Sequence, residues 1–226
     1  MRGFAFVIVC ASCAASSAPS LTATPAPTVL LATATATATP TPTATATPTP
    51  PPPDPPPPPK RYRRVLSVGD SFNGAFSLAL EKKFRADDAA FFRDTWVAVA
   101  IPTFARDSRL PDLLAKHDPD LVLVNLGANH IDDGDPETAA KHVHAIVQLI
   151  GARDCYWIAP ALWKKDTGIV DVIARSVAPC HFFDSKGFKV GRRGDGWHPS
   201  VEGGAVWADR FWDFFQSARA GAAIDR

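Results

Sequence analysis

The sequence has no excess of either charge. Across 226 residues, 24 Lys and Arg stand against 23 Asp and Glu, so no basic face is expected and nucleic-acid binding is excluded as a primary role. Metal and cofactor signatures are missing too. The four cysteines form no cysteine–histidine set with zinc spacing, and no glycine-rich loop has the phosphate-cradling pattern. No metal and no cofactor are expected. A second core is also absent. Of 22 prolines, 15 fall between Pro19 and Pro59, in a stretch built almost wholly from Ala, Thr, Pro and Ser. Such a segment cannot offset its own conformational entropy by burial. One folded domain of ordinary size is left, from Lys60 to Arg226, and a monomer is expected.

What is there begins with an address. Met1-Arg2-Gly3 is a short positive start, and Phe4–Ala15 is an apolar run of signal-peptide length, too short to span a bilayer. Residues 1–15 therefore read as a signal peptide. Two forms stay open. Cys10-Ala11-Ser12-Cys13 resembles a bacterial lipobox with Cys10 in the usual leucine position, which makes Cys13 a lipidation site. The other form is a plain secretory signal cut near Ala15 or Ala18. Both export the domain to the periplasm, cell surface or exterior, with membrane contact only through an N-terminal lipid. Residues 16–59 read as a disordered, partly polyproline II spacer of roughly 3 Å per residue.

From residue 60 onward, strand and helix signals alternate. Continuous apolar runs at Val65–Val68, Leu121–Leu126 and Tyr156–Ala159 read as strands, with a β-rich stretch at Trp96–Ile101 and a short strand at His181–Phe183. Helical spacing marks Phe72–Phe84, Leu110–Lys116, Pro136–Ile150, Ile169–Val177 and Val201–Ala218. Continuous rather than alternating apolar runs imply strands buried on both faces. The expected fold class is α/β, a three-layer sandwich with a five-stranded parallel sheet flanked by helices. In such sheets the chemistry gathers where the strands' carboxyl ends meet the loops.

Those loops hold the polar residues. Gly69-Asp70-Ser71 follows the first strand, Gly127-Ala128-Asn129-His130 follows the third, and Asp195-Gly196-Trp197-His198-Pro199 precedes the last helix. Taken singly, a serine there is an ordinary helix N-cap and a histidine an ordinary structural residue. Taken together on one rim, they supply a nucleophile, an amide donor, an orienting carboxylate and a base. That is the inventory for acyl transfer.

Over most of Val65–Phe215 the chain resembles the SGNH (GDSL-type) hydrolase superfamily. Val68-Gly69-Asp70-Ser71 matches the first block, Gly127-Ala128-Asn129-His130 the third and Asp195-Gly196-Trp197-His198-Pro199 the last. The resemblance implies a flavodoxin-like SGNH fold and a serine esterase. Ser71 would be the nucleophile, His198 the base and Asp195 its partner. The backbone of Ser71 and the side chain of Asn129 would serve as oxyanion donors. Two departures are visible. His130 stands where the family usually has Asp and is given no catalytic role. The family's second-block glycine is absent from Ala100-Ile101-Pro102-Thr103-Phe104-Ala105, so a backbone N–H near Thr103 is expected to take its place.

Cys155 and Cys180 bracket the fourth strand and the following helix, and in an exported domain they are expected to pair. Trp163 and Trp197 fall near the presumed site and are candidate platforms for a sugar ring, or equally local cleft walls. No long apolar lid is present. Export, spacer and tryptophans together lead to the expectation of an esterase acting on O-acetyl groups of a cell-wall or other polysaccharide. Two alternatives stand beside it, an O-acyltransferase on glycan and a non-catalytic carbohydrate-binding relic of the fold.

Overall fold

The computed structural model describes residues 59–133 and 135–221. The expected signal peptide, Cys13 within it and the spacer lie outside the described residues, save Pro59. In chain order the elements are β1 (Arg64–Gly69), α1 (Ser71–Ala86), β2 (Ala90–Thr95), α2 (Ile101–Arg106), α3 (Arg109–His117), β3 (Leu121–Asn125), α4 (Ala140–Ile150), β4 (Asp154–Ile158), α5 (Ile169–Ser176), β5 (His181–Phe183) and α6 (Val201–Arg219). Single 3₁₀ turns occupy Ala128–His130 and Pro136–Ala139.

The strands form one parallel sheet in the order β2-β1-β3-β4-β5, the three-layer architecture expected. Side chains alternate across it with period two. Leu66, Val68, Val122, Val124 and Trp157 face the core shared with α2, α3, α4 and α5. Val65, Leu121, Leu123, Tyr156 and Ile158 face the opposite core, with Phe76, Phe84, Trp207, Phe211 and Phe215 from α1 and α6. Each of these large side chains, fully buried, contributes roughly 1.5–3 kcal/mol. The α1–α6 contact is close because Gly204 meets Ala75. A Cβ at 204 would lie 2.7 Å from the Ala75 backbone.

The second strand departs from expectation. Trp96–Ile101 is not a strand; β2 precedes it, and α2 begins at Ile101. β2 lies at the sheet edge with only Phe91 buried, so it carries Arg93 and Asp94 and lacks the apolar continuity of a central strand. Pro102 sits in the first turn of α2, where a missing N–H leaves no bond unmade. The proline opens a helix rather than closing a strand.

Cys155 in β4 and Cys180 just before β5 form a disulfide, with Cα atoms 4.8 Å apart. It staples the two last strands of the sheet. At the other side, strand order reverses about β1, whose neighbours β2 and β3 follow it in sequence. The loops leaving β1 and β3 therefore diverge and open a crevice at their carboxyl ends.

Candidate active site

The crevice is built around one buried carboxylate. Asp70 caps α1: its Oδ1 accepts from the Phe72 N–H at 3.0 Å, while Oδ2 accepts from Gly127 at 3.2 Å and Ala128 at 3.1 Å. The loop after β1 is thereby locked to the loop after β3. Burial pushes the Asp70 carboxyl up to about 6, with the three N–H donors pulling the other way. Gly69 permits the close approach, since a Cβ there would fall 2.1 Å from the Asn125 carbonyl oxygen.

Ser71 is the first residue of α1, and its Oγ lies 3.0 Å from His198 Nε2. His198 Nδ1 lies 2.9 Å from Asp195 Oδ2. With the ring proton on Nδ1, the imidazole donates to Asp195 and accepts from the Ser71 hydroxyl. Asp195 Oδ1 accepts from the N–H groups of Trp197 at 2.8 Å and His198 at 3.0 Å. The backbone N–H of Trp197 and the His198 ring hold this carboxyl down to about 2, so it is a carboxylate at neutral pH. Sequence reasoning named all three residues, and the structure brings them into one relay.

The donors around Ser71 partly differ from expectation. Asn129 lines the cleft, and its amide nitrogen donates to the Val99 carbonyl at 3.0 Å. An amide has two hydrogens, so one fixes the neighbouring loop and the other is available to the cleft. Thr103 does not line the cleft. It is exposed on α2, where the backbone is already helical; the next N–H, that of Phe104, donates to the Ala100 carbonyl at 2.9 Å. Phe104 itself is buried in the core. The residues between β2 and α2 that do line the cleft are Val97 and Ala98, the latter at φ 59°. A left-handed backbone on a residue with a Cβ is a local strain of a kind that collects at functional sites. His130 is buried and contacts Ile101 and Asp133, and desolvation lowers its pKa. It supports the loop and stays outside the relay.

The cleft holds about 480 Å³ and is walled by Phe72, Trp163 and Trp197. The two indoles are parallel within 3°, centroids 6.5 Å apart, and Trp163 packs on Phe72 at 5.1 Å. Trp197 is 57% exposed.

Two supporting residues were not visible to sequence reasoning. Asn73, fully buried, accepts from Ser67 Oγ at 2.9 Å and donates to the Asp94 carbonyl at 3.0 Å, fixing α1 against β1 and β2. Arg192 donates to the carbonyls of Trp197 at 2.6 Å, Ala161 at 2.7 Å and Leu162 at 3.0 Å. It clips the histidine loop to the loop after β4. The signal available was a pair of arginines just ahead of the Asp195 motif.

No family model matches the chain. Over 96 residues it is 31% identical to an arylesterase of Vibrio mimicus, a stretch covering 38% of this chain and 48% of that protein. The chain thus spans about half the length of the curated relative it matches. Among solved structures it is similar to an acetyl xylan esterase (TM-score 0.55, 16% identity, 67% of this chain and 98% of the other). It is also similar to a lipase/acylhydrolase from Enterococcus faecalis (TM-score 0.53, 16% identity, 69% and 96%) and to TesA (TM-score 0.54, 18% identity, 68% and 98%). These likenesses establish the fold, and they agree with the SGNH resemblance carried by the three sequence blocks.

Proposed function

We propose that this chain is an exported serine esterase of SGNH type that removes O-acetyl groups from a cell-wall or other polysaccharide. The observation that carries the catalytic part is the Ser71–His198–Asp195 relay, at 3.0 and 2.9 Å. Ser71 is weakly nucleophilic at its own pKa and needs a base within reach. As Oγ attacks the ester carbonyl, its proton passes to His198 Nε2, and Asp195 steadies the resulting imidazolium. The carbonyl oxygen becomes an oxyanion beside the Ser71 N–H at the start of α1, the Asn129 amide and the Ala98 backbone. Collapse expels the alcohol, protonated by His198. Water, activated by the same imidazole, then attacks the acyl-enzyme and releases acetate and free Ser71.

Support for the substrate comes from context. Two tryptophans wall the cleft, a similar fold carries an acetyl xylan esterase, and the leader and spacer read from the sequence direct the domain outward.

A serine-reactive phosphonate is expected to add to Ser71, read by intact mass, and to leave Ser71→Ala unmodified. His198→Ala is expected to lower kcat/KM on p-nitrophenyl acetate by about 10³ or more, and Asn129→Ala by roughly 10² through loss of an oxyanion donor. A wild-type rate in His198→Ala would remove the mechanism. Release of acetate from acetylated xylan tests the substrate class.

A further inference from the structure

A second groove of about 560 Å³ adjoins the catalytic cleft, with Trp163 and Lys164 lining both. Its walls carry Lys164, Lys165, Lys186, Lys189 and Arg192 against one acid, Asp166. Two of these cations are neutralised locally: Lys164 pairs with Asp132 and Lys186 with Asp171. Lys165 and Lys189 make no ion pair among the described residues. Arg192 spends its donors on backbone carbonyls, which satisfy its hydrogens and leave its charge in place. Asp166 is itself engaged, accepting from the Val170 N–H at 3.1 Å. The groove is therefore positive in a chain with 24 basic and 23 acidic residues, so the surplus is local and not inherited from the whole. Its floor is apolar, with Leu162, Phe188 and Val190.

We infer that this groove binds an anionic glycan chain, with carboxylates on Lys165 and Lys189 and the Arg192 charge adding to the attraction, while an acyl group on a neighbouring sugar reaches Ser71. The inference rests on the esterase reading and narrows its substrate to an acidic acylated polysaccharide. A sugar chain offers what these walls select. Its C–H faces cover apolar and aromatic surface, and its uronate carboxylates are spaced along a strand that a groove can follow. Clefts lined by one sign of charge concentrate a ligand of the other sign.

The test compares polygalacturonate and dextran acetylated to the same degree, using the full chain. At low salt, kcat/KM is expected to be at least about tenfold higher on the acidic polymer. The preference should vanish near about 1 M NaCl, where the Debye length is about 3 Å. In Lys165→Glu/Lys189→Glu the acidic-to-neutral ratio is expected to fall by at least about tenfold; an unchanged ratio overturns the proposal. A second arm needs no turnover: Ser71→Ala should be retarded in a gel containing unacetylated polygalacturonate, and adding the double reversal should abolish the retardation. Retardation by polygalacturonate with every ester inert keeps the groove and sinks the esterase reading. Ester cleavage with neither retardation nor preference does the reverse. Binding to phosphatidylglycerol vesicles without retardation by polygalacturonate overturns the glycan assignment.

Discussion

Ala98 carries a conformation that alanine adopts at a cost of roughly 1–2 kcal/mol relative to the right-handed form. It does so at the lip of the cleft, with Val99 beside it held by Asn129. Glycine would meet no such penalty. Ala98→Gly is therefore expected to be as stable as the parent or more stable, by up to about 1 kcal/mol, and to keep its ester hydrolysis. Ala98→Val, β-branched at positive φ, should lose stability and activity together; denaturant titration and p-nitrophenyl acetate turnover check both. The same residue shows why this part of the cleft wall is not legible in the sequence. Glycine is the residue type whose presence announces a left-handed turn, and an alanine there announces nothing. Arg93 and Asp94 also interrupt the apolar run of β2, so the sequence pattern points to Ala100–Ala105, past the loop that lines the cleft. Ser71, Asn129, Asp195 and His198 were legible for the opposite reason. Each follows an abrupt end to an apolar run or precedes an obvious helix, so its place on the rim could be read before any geometry.

Between elements, the site depends on two ties. Arg192 joins the loop ahead of α6 to the loop after β4 through three carbonyls, and so holds His198 in register with Ser71. A small misplacement of a base is costly in rate even when binding is untouched. Arg192→Met is expected to lower kcat on a small neutral ester by about tenfold or more with KM little changed. Arg192→Lys should not restore it, because one ammonium cannot reproduce the planar fork. The second tie is Asp70. Its folded pKa, about 6, lies above the ordinary value of 3.8, so the folded state holds a proton that the unfolded chain has released. That contribution is fully present below pH 4 and is lost as pH rises through about 6. The shift corresponds to about 3 kcal/mol. The unfolding free energy of the parent minus that of Asp70→Asn should fall by this order between pH 4 and 7, measured by urea titration at each pH. A flat difference would remove the assignment.

For the whole molecule, the Cys155–Cys180 bond closes a sequence separation of 25 residues and constrains the unfolded chain by roughly 3 kcal/mol in the loop-entropy description. Cys155→Ser/Cys180→Ser is expected to melt roughly 6–12 °C lower. Its turnover at room temperature should be close to the parent's, because the site sits at the ends of β1 and β3 and the staple joins β4 to β5. The distribution of the relay along the chain has a further consequence. Ser71 opens the first helix and His198 precedes the last, 127 residues later, and the two helices meet where Gly204 packs on Ala75. A chain still being synthesised, or one that ends before His198, holds a hydroxyl with no base to activate it. Cut between α4 and β4, the molecule gives two halves that each carry an incomplete relay. Turnover is then a report that the two ends of the domain have found each other, readable in a mixture of fragments as the rate at which activity appears.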